Sequence, residues 1–334
     1  MSSIVTTQPT LEDIVAPIKP SMIALDHFIQ DQIQEFEPEV QEIARYSFSH
    51  QGKRLRPLLV FFSGQTRADV VSEDIIKAAA IVEMIHLASL IHDDILDNAQ
   101  LRHGCASLSQ EYGPNLAVLF GDALFSHALK LATEFPTTHV CQIASQATRN
   151  VCSGEIVQTL GTHEPDLSLQ RYFRIIDLKT AELFSASCLL GASLAGYEES
   201  FMIASAEFGR KLGTAYQIYD DLTDFVSQEK DIGKTLGTDL TEGKYTLPLL
   251  LLLQTLSETD AQRWVQSIKA KTANITELCE LMHTHGIFMQ TQLLCEQVLE
   301  DAEKSLQAWH TLPATAPLLQ LHTLIHSKLK ELPV

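Results

Sequence analysis

Apolar periodicity constrains this chain more than any other feature. From Ser72 to about Leu96, residues Ile75, Ala78, Ala79, Val82, Ile85, Ala88 and Ile91 recur at intervals of three and four, marking one face of a helix. Ser72 is a capping residue type, and Glu73 and Asp74 suit the positive end of the helix dipole. Similar spacing runs through the rest of the chain. Val-Ile-Thr alternation is scarce, and aromatics are only 7%, too few for a strand-rich protein. Breaks fall at Pro57, Gly113-Pro114, Pro136, Gly161 to Pro165, Gly196, a polar stretch from Ser227 to Gly243, Pro248, Pro313 and Pro317. The segments between them run from about ten to twenty-five residues, a usual helix range. No strand-helix alternation, fixed-period repeat or linker divides the chain. The expected fold is therefore all-α: a tail over 1–20, with Pro9, Pro17 and Pro20, and one domain over 21–334.

Charge narrows the function classes. Against 42 Asp and Glu stand 24 Lys and Arg, a formal net charge of −18. That balance disfavours nucleic acid, which needs a cationic face, and a polybasic membrane anchor. The six cysteines form no C-x-x-C pair and lie far apart, as free thiols in a reducing compartment would. The N-terminus has acids and a proline where a signal peptide has a basic start and an apolar core. The most apolar run, Leu247–Leu253, is well short of the roughly 20 residues of a membrane span. A cytoplasmic protein without a membrane span is expected.

The chemistry is written twice. Asp93-Asp94-Ile95-Leu96-Asp97 and Asp220-Asp221-Leu222-Thr223-Asp224 both read D-D-x-x-D, and each follows an apolar helical run. Residues four apart share a helix face, so Asp93 and Asp97 project together, as do Asp220 and Asp224. Like charges that close repel, and near a helix C-terminus they also oppose the dipole. A single acidic run is ordinarily a solvated face; two copies in the same setting point to divalent metal. Carboxylates without His or Cys suit a hard ion such as Mg²⁺ bridging to a substrate phosphate. Gly233-Lys234-Thr235 mimics the end of a P-loop, but Gln228 stands where that motif needs glycine.

These residues together resemble the trans-type isoprenyl diphosphate synthases, or polyprenyl synthetases. The likeness runs over roughly residues 40 to 250: Gly52-Lys53-Arg54-Leu55-Arg56-Pro57, the stretch Glu83 to Asp97, Arg102, Gly121-Asp122, Gly154-Glu155 with Gln158, Lys179-Thr180-Ala181, Gln217 before the second cluster, and Gly233-Lys234 and Gly243-Lys244 after it. The resemblance implies an isoprenoid synthase bundle of about ten or more helices around a central cavity, in a homodimer. It implies Mg²⁺, of more than one ion, at Asp93, Asp97, Asp220 and Asp224, with Asp94, Asp221 and Lys179 completing the catalytic set. An allylic diphosphate would be held by Arg102, Lys179, Lys234 and Lys244, with Thr180 and Gln217 close by. Isopentenyl diphosphate would lie on Lys53, Arg56 and His86. The implied reaction is Mg²⁺-dependent condensation of the two to an all-trans polyprenyl diphosphate. A terpene cyclase or lyase on the same fold, and a non-catalytic prenyltransferase subunit, are the alternatives.

One position departs from the family. A second arginine ordinarily follows the first, and His103 stands here, a shorter group that is partly neutral at pH 7. Weaker isopentenyl diphosphate binding, tightening as pH falls, is expected. Met84, Ile85, Ala88 and Ser89 are the candidate product-length residues. Ala88 and Ser89 lie about one turn before Asp93, roughly 6–7.5 Å along the axis. Short-chain relatives carry bulky side chains near that level; small ones here predict a product longer than C20, stopped lower down by Met84, Ile85 or a neighbouring helix.

Overall fold

The computed structural model describes residues 10–49, 52–66, 71–163, 167–226, 238–241 and 243–334. The all-α expectation holds. Helices α1 (Leu11–Val15), α2 (Lys19–Gln34), α3 (Pro38–Ser49), α4 (Leu55–Ser63) and α5 (Glu73–Leu96) lead to a hairpin of two short strands, β1 (Leu101–Arg102) and β2 (Cys105–Ala106). Then come α6 (Leu108–Glu111), α7 (Pro114–Thr133), α8 (His139–His163), α9 (Leu169–Ile176), a π-helical turn (Asp177–Ala181), α10 (Glu182–Leu194) and α11 (Glu199–Val226). The C-terminal part is α12 (Thr238–Thr241), α13 (Leu247–Thr255), α14 (Glu258–Lys269), α15 (Ile275–Thr284), α16 (Ile287–Ser305) and α17 (Thr315–Lys330).

Some of the expected signals act where they were read, while Pro57, Pro248 and Pro317 lie in the first turns of α4, α13 and α17 and Gly161 lies within α8, so none of these four separates two helices. Ser72 caps α5, its hydroxyl accepting from the Ile75 amide at 3.3 Å. Pro114 opens α7, where its missing N–H removes no helical bond. Gly196, with φ +74°, separates α10 from α11. Helix α5 packs on α4, α7 and α10, and α11 packs on α10 and α16, so both aspartate-bearing helices belong to the centre of the bundle.

Residues 10–20 depart from the expected loose tail. Thr10 and Asp13 form a capping box, and Ile14 and Ile18 are buried in the core, only 3% and 6% exposed. Pro17 and Pro20 sit in the first turn of a 3₁₀ helix (Ala16–Ile18) and of α2, positions that tolerate proline. Residues 1–9 of that expected tail lie outside the described residues.

Helices α5 and α7 are long and apolar enough to cross a bilayer by length and composition, although the longest unbroken apolar run in the sequence is much shorter than a span. They pack against each other within the bundle, and 61% of the most apolar stretch of α5 is buried in the protein, the situation of a core helix.

Candidate active site

The first cluster occupies the last turn of α5, with Asp97 as its C-cap. Asp94 follows Asp93 by about 100° of helix rotation, which turns it into the protein, where it is only 3% exposed. A buried carboxylate needs a partner, and Arg102 supplies one: Nε lies 3.1 and 3.2 Å from the two Asp94 oxygens, and Nη2 also donates to Oδ1. The hairpin delivers that arginine. Its tip, His103-Gly104, has φ +50° and +80°, the positive pair that tight two-residue hairpins require. The exposed His103 ring packs on Gly52, where any Cβ would stand 3.1 Å from it. This places His103 beside Lys53, which is exposed.

Asp93 and Asp97 meet lysines from distant elements. Lys179, on the π-helical turn, lies 3.4 Å from Asp93, forms an ion pair with Glu155 of α8, and donates to Gln158 at 3.1 Å. Lys244 donates to Asp97 at 2.8 Å across 147 residues of sequence. Burial pushes the Asp93 carboxyl up to about 7; Lys179 opposes that, while Glu155 and Asp97 add to it. Burial, with Lys244 nearby, works to lower the Lys179 ammonium, but Asp93 and Glu155 hold it above its usual value.

The second cluster repeats the division between outer and middle aspartates. Asp221 is 2% exposed, accepting from the Tyr172 hydroxyl at 2.6 Å and from the Gln217 amide at 2.8 Å, while Thr180 donates to the other end of Gln217 at 2.8 Å. Burial pushes Asp221 up to about 8; Asp239 adds to the shift, and the hydrogen bonds from Tyr172 and Gln217 reduce it. Asp220 is exposed, and Asp224 accepts from the Asp239 amide at 3.4 Å. Since Asp239 also lies 3.9 Å from Lys244, one chain of contacts runs from Asp97 to Asp224. A cavity of about 150 Å³ lies alongside, with Lys179, Thr180, Gln217, Asp221 and Lys244 on its wall.

Arg56 forms a neighbouring centre. Its Nη1 donates to His86 Nε2 at 2.8 Å, and its guanidinium lies 5.0 Å from the centre of the Phe184 ring. Burial lowers the Arg56 pKa to about 10, which leaves it charged at neutral pH. Burial, with Arg56, Arg102 and His103 nearby, lowers His86 well below the usual histidine range, so the ring is neutral and accepts from Arg56. Of the product-length candidates, Met84, Ile85 and Ala88 are fully buried, and Ser89 donates to the His86 carbonyl at 2.7 Å. Lys234 lies outside the described residues. Two residues given no role by sequence reasoning, Glu155 and Tyr172, prove to hold Lys179 and Asp221. No local pattern marks Tyr172, because its aspartate lies 49 residues away and the two meet only through tertiary packing.

The donor chemistry fits a hard cation. The outer aspartates offer only oxygen, and desolvation makes the charge on Asp93 costly until a cation neutralises it. Among the described residues no three His, Cys, Asp or Glu side chains converge on one point, so substrate phosphate or water would complete the coordination.

An all-α bundle in which two acidic helices are tied together by lysines from distant elements is an isoprenoid synthase fold. The chain belongs to the polyprenyl synthetase family, whose profile matches residues 37–284. It is 30% identical over 307 residues to the octaprenyl diphosphate synthase of Escherichia coli (strain K12), covering 91% of this chain and 94% of that one. Among solved structures it resembles a polyprenyl synthase from Caulobacter crescentus CB15, complexed with calcium and isoprenyl diphosphate: TM-score 0.87, 30% identity, 96% and 98% of the two chains covered. A decaprenyl diphosphate synthase from Rhodobacter capsulatus gives 0.88, 27%, 97% and 100%.

Proposed function

We propose that the chain condenses isopentenyl diphosphate with an allylic diphosphate, in successive additions, to an all-trans polyprenyl diphosphate longer than C20. The observation that carries this reading is the set of three ion pairs on the first cluster, Asp93–Lys179, Asp94–Arg102 and Asp97–Lys244. They gather, in an acidic protein, the cations that a diphosphate needs. Asp93, Asp97, Asp220 and Asp224 would hold Mg²⁺, which when bound stabilises negative charge on the leaving diphosphate.

Lys179 and Lys244, released from their carboxylates, face the allylic diphosphate and favour its departure. Arg102, which Asp94 holds at the end of α5, faces the same diphosphate. Lys53, Arg56 and His103 receive isopentenyl diphosphate, with His86 orienting the Arg56 guanidinium. The apolar α5 face below Asp93 excludes water from the allylic cation. The double bond of isopentenyl diphosphate attacks that cation, and a proton passes to the departing diphosphate.

The bundle acts as one domain that takes in residues 10–20 through the buried Ile14 and Ile18, in the cytoplasm, where the six free thiols stay reduced. Two copies associate. Leu116, Val118 and Leu119 of α7, and Ile156 and Leu160 of α8, remain exposed on two helices that pack together.

Incubation with Mg²⁺, isopentenyl diphosphate and geranyl, farnesyl or geranylgeranyl diphosphate, followed by product mass, tests the reading. Elongated diphosphates support it. Cyclised or dephosphorylated hydrocarbon, or no turnover, overturns it.

A further inference from the structure

The cavity beside the lysines has a second side, lined by Arg171, Tyr245 and Thr246, which have no role in the proposed prenyl transfer. Helix α13, nine residues long, begins there, and its N-cap is Thr246. A capping threonine normally accepts from the first-turn amides with its hydroxyl; Thr246 makes no such bond, and its buried Oγ1 has no hydrogen-bond partner among the described residues. The residue is 7% exposed and lines the cavity. The neighbouring Tyr245 hydroxyl is also buried and, among the described residues, unpartnered, and Tyr245 lines the same space. Two orphaned hydroxyls at one helix N-terminus are costly unless something accepts from them.

Arg171 completes the arrangement. It lines the cavity, donates to the Val157 carbonyl at 2.8 Å, and among the described residues forms no ion pair with a carboxylate. Gly161 makes room for it, since a Cβ there would stand 2.8 Å from Nη2. The remaining charged groups on the wall are Lys179 and Lys244, engaged by Asp93 and Asp97, and the acids Asp221 and Asp239. Hydroxyl donors, a guanidinium and the positive end of a helix are the elements of an anion site. About 150 Å³ holds roughly five waters, room for a phosphate or a diphosphate.

We propose that this cavity binds a phosphoryl anion through Arg171, Tyr245, Thr246 and the N-terminus of α13. Its occupant is the inorganic diphosphate released by the reaction, or free inorganic phosphate. The choice of occupant rests on the proposed prenyl transfer; the pocket itself does not.

Titration calorimetry of the full chain with sodium diphosphate, and separately with sodium phosphate, tests this. Thr246→Val and Arg171→Gln should each weaken anion binding about tenfold, and Thr246→Ser should retain it. The KM for the allylic diphosphate should stay within about twofold in all three, and far-ultraviolet circular dichroism should match the parent. Binding of diphosphate at least tenfold tighter than phosphate assigns the pocket to the leaving group; equal binding assigns it to free phosphate. The proposal is overturned if the parent binds neither anion or if the variants bind as the parent does. A KM that rises in step with the anion Kd overturns it too, because the anion then sits in the substrate's own site. A chain that binds diphosphate but transfers no prenyl group would sink the proposed function and leave the pocket standing.

Discussion

Two adjacent aspartates in each cluster do different work because one residue of helix turns the side chain by about 100°. The i, i+4 spacing made the shared face of Asp93 and Asp97 legible in the sequence. What holds Asp94 and Asp221 was not legible: Arg102 arrives on a hairpin and Tyr172 on α9, and each meets its aspartate only through tertiary packing. His103 was readable as a departure, and the structure sets it at a positive-φ tip against Gly52. His103→Arg should lower the Michaelis constant for isopentenyl diphosphate about fivefold at pH 7.5, the difference between a neutral and a charge-assisted hydrogen bond. Initial rates with isopentenyl diphosphate varied check this. Glu83 supplies a second test. Burial raises its pKa despite Arg54 and Arg56, and its Oε2 has no hydrogen-bond partner among the described residues. A carboxyl raised on folding stabilises below its unfolded pKa, and that contribution is lost as pH rises through the folded value. Thermal melts between pH 4 and 7 should therefore show a steeper loss with rising pH in the parent than in Glu83→Gln.

At the scale of elements, α5 was readable nearly residue for residue, because its cap, its apolar face and its acidic end agree with one another. The π-helical turn was not. It puts one extra residue into the helix carrying Lys179 and Thr180, and no local pattern marks such an insertion. Pro17 and Pro20 misled for the opposite reason: each sits in a first turn, where proline ends nothing. The product-length reading belongs to α5 as well. Ala88 is fully buried about one turn below Asp93, with Ile85 and Met84 beneath it. Ala88→Phe should shorten the product sharply, at a stability cost of roughly 1–3 kcal/mol from overpacking. An unchanged product mass spectrum would remove Ala88 from the channel.

For the whole molecule, a net charge of −18 is a poor guide to the site. The bulk acidity argues against nucleic acid, while three cations are gathered around three carboxylates where the fold brings distant segments together. Association is the prediction at this scale. Leu119 is 63% exposed and Leu160 is 65% exposed, on two helices that pack together. Light scattering should give the mass of two chains for the parent and of one for Leu119→Glu; a parent that runs as a single chain contradicts the dimer.

The contact between Lys244 and Asp97 spans 147 residues, which matters for the order in which the protein assembles. During synthesis the first aspartate cluster emerges before Arg102, well before Lys179, and long before Lys244. A partly made chain therefore carries these acids on the end of an apolar helix without the groups that neutralise them. Loop closure across that much chain comes late, so α5 must dock while its last turn still repels itself. Divalent cations in the surrounding solution are the natural interim counterions, and refolding in their presence should be faster than in a chelator.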